Sequence, residues 1–140
     1  TKLCQNGIKS LLIYDIDQKK AEELLSHLEK FNYETSISLA SSEDINQYSS
    51  DSNLIINCTP IGMKEDDPVL ISSESISSNH FVYDIIYTPP ETKLLKSARE
   101  NGAKVINGMD MLAYQGAESL SIWEDVPPPY ETMKKELQNG

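Results

Sequence analysis

Short apolar runs alternate with polar, helix-forming segments along the whole of this 140-residue chain. Each run is short enough to be one strand, and the segments between runs carry apolar residues at helical spacing. The predicted strands cover 11–14, 33–39, 54–57, 81–87 and 104–107. This alternation is typical of βαβ units and predicts an α/β fold built on a parallel sheet.

The clearest helical pattern covers 18–30, where leucine and alanine recur on one face. Asp17 precedes it as the predicted N-cap. Further helices are predicted over 42–48, 91–100, 109–123 and 130–137. Ser42 is the expected cap of the first of these, Pro89-Pro90 are expected to open the second, and Asn101-Gly102 to close it.

The charge balance excludes two classes of partner. Acidic side chains number 22 and basic ones 12, which leaves a formal charge of −10. Nucleic acids and anionic membrane surfaces are therefore not expected as partners. Because no apolar run approaches the roughly 18 residues of a membrane span, and the N-terminus lacks a secretory signal pattern, we expect a cytoplasmic protein.

Cysteine and histidine are too sparse to indicate a metal or redox centre. Cys4 and Cys58 fall in different predicted elements without a Cys-x-x-Cys or Cys/His cluster, which predicts reduced structural thiols. His27 and His80 are likewise isolated, so no metal site is expected.

Polar residues follow several predicted strands, at the sheet edge where open α/β proteins bind their ligands. Asp15 follows the first strand, where a dinucleotide-binding protein uses an acid to accept the ribose hydroxyls. Because the chain contains no Gly-x-Gly-x-x-Gly loop, a solvated turn residue is the alternative interpretation of Asp15.

The loop Asn57–Met63 and the segment that ends at Tyr87 reach the same edge. A simple turn is the alternative for the loop, and Tyr87 is either a site residue or a core ring with a satisfied hydroxyl. Gln115 lies beside the apolar face of the predicted helix 109–123, where a buried amide needs a partner. That partner is either a backbone carbonyl or a hydroxyl or carboxylate of a ligand.

Three segments carry a further signal: NCTPIGM at 57–63, YDIIYTPPETKLL at 83–95 and NGMDMLAYQGAE at 107–118. In this order and spacing they resemble the C-terminal half of the shikimate/quinate dehydrogenase family. The corresponding family patterns read approximately N-A-T-x-x-G-M, Y-D-x-x-Y-x-P-x-x-T-x-L-L and G-x-x-M-L-x-x-Q. The segment YDIDQKKAEELL at 14–25 also aligns with the family's second strand and the helix that follows it.

The resemblance implies a doubly wound parallel sheet of the Rossmann type that lacks its first strand and its glycine-rich loop. The strand order of such a sheet is 3-2-1-4-5-6, so the first strand would lie between 11–14 and 54–57. Without that strand, we expect the sheet to be split at this point. The resemblance further implies dinucleotide contacts from Thr59, Ile85, Gly108 and Met111. Tyr87 and Gln115 would hold the hydroxyl and carboxylate groups of shikimate or quinate.

The implied reaction moves a hydride between the nicotinamide and the ring carbon that bears a hydroxyl group. It interconverts shikimate and 3-dehydroshikimate, or quinate and 3-dehydroquinate. Family members that use NADP typically carry Asn-Arg-Thr where this chain has Asp15-Ile16-Asp17. A carboxylate at Asp15 favours NAD, because it accepts ribose hydroxyls and repels a 2′-phosphate. Lys20 matches a second basic position and keeps NADP as the alternative.

The family's catalytic Lys and Asp belong to an N-terminal substrate domain, and no segment here matches its S-x-N-V-T-x-P-x-K or N-T-D motifs. We therefore interpret 1–140 as a partial C-terminal NAD(P)-binding domain without catalytic residues. The chain is expected to be a fragment, silent by itself, that forms a homodimer or pairs with the missing N-terminal part. A noncatalytic dinucleotide-binding or assembly module is the alternative. Glutamyl-tRNA reductases share this domain but would not carry the Gln115 segment.

Overall fold

Two parallel strands form the sheet of the first unit, Thr1–Asp51, in the computed structural model, which describes residues 1–139. The strands are β1 (Ser10–Ile13) and β2 (Ser36–Leu39). Three helices belong to the same unit: α1 (Lys2–Gln5), α2 (Gln18–Glu29) and α3 (Ile45–Ser50). Ile13, Ala21 and Leu28 form its buried core, so the apolar stripe of α2 packs against β1.

The second unit begins at Ser52 and contains a three-stranded parallel sheet. Its strands are β3 (Leu54–Asn57), β4 (Phe81–Asp84) and β5 (Lys104–Ile106), in that spatial order. The helices are α4 (Lys93–Glu100), α5 (Met109–Glu124) and α6 (Tyr130–Asn139), with a single 3₁₀ turn at Ser73–Ser75. No helix within residues 1–139 is both long enough and apolar enough to cross a bilayer.

The core of the second unit lies between one face of this sheet and α4. Val82 in the central strand and Leu95 and Ala98 on α4 are almost completely buried. Strand residues alternate between the two faces. Leu54 and Phe81 therefore point to the opposite face, where each remains half-exposed.

The structure confirms the α/β class and the parallel pairing. It also confirms that the sheet is split: β1 pairs with β2, β3 pairs with β4, and the two sheets share no strand among the described residues. The strand 54–57 and the Asn101-Gly102 helix end are confirmed, and Gly102 has the expected positive φ of 80°. Asp17 occupies the N-cap position of α2, although its side chain makes no capping hydrogen bond.

Two helix starts differ from the prediction. The helix predicted at 42–48 is α3, which begins at Ile45 with Asp44 at its N-cap position. Residues 41–44 form a turn before it, in which the Ser41 hydroxyl donates to Asp44 Oδ2 (2.7 Å). The helix predicted at 91–100 begins at Lys93, because the Thr92 hydroxyl accepts the amide of Leu95 (3.3 Å). Pro89-Pro90 therefore precede the helix rather than open it.

Two strands are shorter than predicted. β4 ends at Asp84 instead of residue 87, because the Ile86 amide turns to the Asp84 carboxylate (3.1 Å). β2 begins at Ser36 instead of residue 33, and the Thr35 hydroxyl donates to the carbonyl of Ile8 (2.8 Å) just before it. The remaining element ends agree within two residues.

Candidate functional site

A buried carboxylate organises the carboxyl ends of β3 and β4. Asp84, the last residue of β4, is 0% exposed. Its Oδ1 accepts hydrogen bonds from Asn57 Nδ2 (3.0 Å) and the Ile86 amide (3.1 Å), and its Oδ2 accepts one from the Thr92 hydroxyl (2.7 Å). Three donors thus compensate the lost hydration of the carboxylate. The network joins the end of β3, the exit of β4 and the start of α4.

Asn57 also shapes the loop that follows β3. Its Oδ1 accepts from the Thr59 amide (2.9 Å) and the Thr59 hydroxyl (2.7 Å), while its Nδ2 donates a second bond to the Ile61 carbonyl (3.1 Å). The turn interpretation is therefore right about the backbone of this loop. The same turn fixes Thr59, so the turn and the site interpretations are compatible.

Asp67 closes the far end of this loop. Its Oδ2 accepts from the amides of Gly62 (2.8 Å) and Lys64 (3.0 Å). These two backbone amides, Lys64 first, hold the pKa of Asp67 below its usual value. Gly62 has a φ of 115°, a conformation that side-chain-bearing residues rarely adopt, so glycine is required there.

A cavity of about 430 Å³ lies between this loop and the segment that follows β4. Its lining includes Thr59, Met63, Ile85 and Tyr87, and the exposed Cys58. Such a volume is in the range of small-molecule sites, and the mostly apolar wall suits a flat ring. Partial burial, and secondarily the Asp84 carboxylate, raise the pKa of the Cys58 thiol, so it is a neutral group at physiological pH.

The start of α5 lies against the same wall of β4. Gly108 is buried at the N-cap of α5, and its amide donates to the carbonyl of Ile86 (3.0 Å). A Cβ at Gly108 would collide with the Ile85 carbonyl, so glycine is required by close approach and not by its φ of −75°. Asn107 Oδ1 accepts the amide of Met109 (3.1 Å) and thereby helps to begin the helix.

The structure brings together some of the predicted site residues. Thr59, Ile85 and Tyr87 line one cavity, and Gly108 touches its wall. Tyr87 is 42% exposed, which argues against the core-ring interpretation. Met111, in the first turn of α5, is not part of the cavity lining.

Gln115 and Asp15 do not line this cavity. The expectation that Gln115 is a buried amide is wrong: it is exposed, because Ala113 and Ala117 occupy the buried stripe of α5. Asp15 belongs to the first unit, where it is exposed and its Oδ1 accepts the amide of Asp17 (2.8 Å). This hydrogen bond is the one expected of a solvated turn residue, and it also fixes the orientation of the carboxylate.

Sequence reasoning missed the central role of Asp84. The available signal was a single acid within the apolar run 81–86, in parallel register with Asn57 on the neighbouring strand. Two polar side chains on the same buried face need hydrogen-bond partners, and neighbours at the same register can supply one to each other.

Comparison with known proteins agrees with the motifs. The family model for the Shikimate 5'-dehydrogenase C-terminal domain matches residues 108–138. A shikimate dehydrogenase (NADP(+)) of Methanobrevibacter smithii is 35% identical over 138 residues, which cover 97% of this chain and 49% of that protein. The chain therefore spans about half the length of the curated relatives that match it throughout.

Two solved structures resemble the fold. Shikimate 5-dehydrogenase from Listeria monocytogenes, in complex with shikimate and NAD, has a TM-score of 0.81 at 26% identity and covers 97% of this chain and 50% of that one. Quinate dehydrogenase from Corynebacterium glutamicum, in complex with NAD, has a TM-score of 0.88 at 23% identity. The match covers 99% of this chain and 49% of that one. Together with the three motifs, these matches lead to one conclusion: the chain belongs to the shikimate/quinate dehydrogenase family and carries its C-terminal domain.

Proposed function

We propose that this chain is the dinucleotide-binding half of an oxidoreductase that acts on shikimate or quinate. The observation that carries the proposal is the cavity of about 430 Å³ at the carboxyl ends of β3 and β4. Open α/β sheets bind nucleotides at this edge. The relatives named above support the substrate class, since their names include shikimate dehydrogenase and quinate dehydrogenase.

The residues of the cavity fit the nicotinamide end of a dinucleotide. Ile85 and Met63 offer apolar surface to a planar ring, and the Thr59 hydroxyl lies beside them. When bound, NAD or NADP supplies the hydride chemistry. Gly108 and Met111 would approach the same ring from the start of α5. The chain's own part is to bind and orient the ring and to exclude water from it.

Tyr87 and Gln115 are proposed to hold the substrate. Both side chains are exposed, so their polar groups are available to a ligand without loss of internal hydrogen bonds. The Tyr87 hydroxyl and the Gln115 amide can each bond a ring hydroxyl or a carboxylate. We assign the transfer of the proton that accompanies the hydride to the family's Lys/Asp pair, and binding alone to Tyr87 and Gln115.

We further propose that NAD is preferred over NADP. Asp15 and Asp17 together present two carboxylates after β1, and a 2′-phosphate beside them would meet like charge. Lys20, which keeps NADP as the alternative, lies 3.7 Å from the Asp17 carboxylate, which offsets its charge. The test uses a chimera in which this chain replaces the matching half of the Methanobrevibacter smithii protein, and compares the ratio of kcat/KM for NAD and NADP between the wild-type sequence, Asp15→Asn and the control Glu29→Gln. A preference for NADP in the wild type, or an unchanged ratio in Asp15→Asn, would refute this proposal.

The test of the proposed function is a chimera in which this chain replaces the matching half of the Methanobrevibacter smithii protein. The proposal expects oxidation of shikimate or quinate with reduction of the dinucleotide. A noncatalytic dinucleotide-binding module is the second candidate, because the cavity lining suits the binding of a ring whether or not turnover follows. A folded chimera that binds NAD but turns over neither acid would favour that candidate and overturn the first.

A further inference from the structure

Helix α6 contacts the first two turns of α5 at three places. The Tyr130 ring stacks on Tyr114, with centroids 3.8 Å apart and planes 9° from parallel. Met133 lies so close to Gly116 that a Cβ there would be 3.0 Å from its sulfur. Lys134 Nζ lies 3.0 Å from each carboxylate oxygen of Asp110. These contacts fix α5 near the end that approaches the cavity.

The pair of Lys134 and Asp110 is the polar part of this contact. Their side chains are 31% and 37% exposed, so the pair is partly shielded from solvent. Lys134 also donates to the Tyr130 hydroxyl (3.3 Å). The hydrogen bonds to Asp110 and then to Tyr130 raise the pKa of Lys134, so the ammonium group remains charged throughout the physiological range. Burial raises the pKa of Tyr83 in β4, and the neighbouring Cys58 and then Asp110 raise it further. Asp110 therefore lies close to β4.

We propose that Lys134 is a positioning residue, which holds the first turn of α5 through Asp110 and so sets the place of the dinucleotide-binding backbone at Gly108. This inference rests on the proposed function for what is bound there. The start of the turn is held where the Gly108 amide donates to the Ile86 carbonyl (3.0 Å) and Gly108 packs against the Ile85 carbonyl. The ion pair between Lys134 and Asp110 adds a side-chain contact two residues further on, in the same turn.

Hydrogen exchange in the 140-residue chain tests the contact without any ligand. The reporter is the Leu112 amide, which donates to the Gly108 carbonyl (3.0 Å) in the first turn of α5. The reference is the Lys96 amide, which donates to the Thr92 carbonyl (2.9 Å) in the first turn of α4. Lys134→Met should speed exchange of Leu112 alone by about two- to fivefold, the range expected for a part-exposed ion pair. Lys134→Arg should restore it, and the exposed neighbour Lys135→Met should leave it unchanged.

Steady-state kinetics of the chimera then test the consequence. Lys134→Met should raise KM for the dinucleotide by about two- to fivefold while kcat changes less than twofold, because the bond shapes the binding surface and not the reacting atoms. Unchanged exchange at Leu112, or faster exchange at both amides, would overturn the positioning role. Faster exchange at Leu112 alone with an unchanged KM would keep the contact but overturn its link to binding. If the chimera binds no dinucleotide while Lys134→Met still speeds exchange at Leu112, the proposed function is refuted and the contact is established.

Discussion

Replacement of Asp84 by alanine should destabilise the chain more than any change on its surface. The carboxylate is 0% exposed and accepts bonds from Asn57, Ile86 and Thr92, so Asp84→Ala leaves three buried donors without their acceptor. An orphaned buried donor costs about 1–3 kcal/mol. Because the Thr92 hydroxyl can rotate and Asn57 keeps its bond to Ile61, we expect the lower part of the sum, about 3–6 kcal/mol.

Asp84→Asn is the matched control, because it keeps the shape and most of the bonds. Its Oδ1 still accepts from Asn57 and Ile86, and its amide nitrogen takes the place of Oδ2. The Thr92 hydroxyl then has to accept rather than donate, which it can do with its second lone pair. The losses are the charge assistance of the bonds and the acceptor of the Thr92 hydroxyl, so the free energy of unfolding should fall by about 2–3 kcal/mol.

Urea unfolding followed by circular dichroism measures both variants, and Thr92→Val gives a second reference. That variant removes one bond to Asp84 together with the N-cap of α4, and the two losses should cost about 2–4 kcal/mol. The reasoning is refuted if the free energy of unfolding of Asp84→Ala lies within about 1 kcal/mol of the wild-type value, or if Asp84→Asn lowers it as much as Asp84→Ala does.

Three further outcomes follow from the site. Gly108→Ala should lower the free energy of unfolding by about 3 kcal/mol in the same urea assay, because the added Cβ meets the Ile85 backbone. This value is the upper end of the range for overpacked cores, and a cost below about 1 kcal/mol would contradict the close approach. Gln115→Ala should lower kcat/KM of the chimera by roughly ten- to hundredfold with little change in melting temperature, since the side chain is exposed; equal activity would exclude it from the substrate site. Cys58 should react with iodoacetamide more slowly at pH 7 than a free cysteine, and its rate should rise only above the pH at which ordinary thiols ionise, since its pKa is raised. Mass spectrometry measures the rate against a cysteine peptide, and a faster reaction of Cys58 would contradict the prediction.

The sequence was sufficient to predict which segments become strands and helices, because apolar spacing decides burial. Leu28 in the stripe of α2 and Val82 in its apolar run are almost completely buried, although Leu24 of the same stripe is 45% exposed. Element ends were predicted less well, because single side chains decide them. Thr92 sets the start of α4, and Asp84 ends β4 by taking the Ile86 amide out of the ladder.

The position of Gln115 could not be predicted for a different reason. Apolar residues occur on most sides of 109–123, so the spacing does not define one face. Only the packing shows that Ala113 and Ala117 are the buried pair and that Gln115 faces solvent. The motifs nevertheless selected Gln115 as a ligand residue, and an exposed position suits that role better than the buried one that periodicity suggested.

The split sheet leads to a prediction about the chain by itself. β1 is paired only with β2 and β3 only with β4 within residues 1–139, so each of the two strands presents an unpaired edge. Both strands are apolar, and an apolar edge attracts another strand. The sequence also lacks the glycine-rich loop that would give the pyrophosphate a helix N-terminus. We therefore expect the purified chain to bind NAD far more weakly than the chimera and to oxidise neither shikimate nor quinate. Calorimetric titration and an activity assay at matched concentration measure the two parts, and micromolar NAD binding together with turnover by a monomer would contradict this expectation.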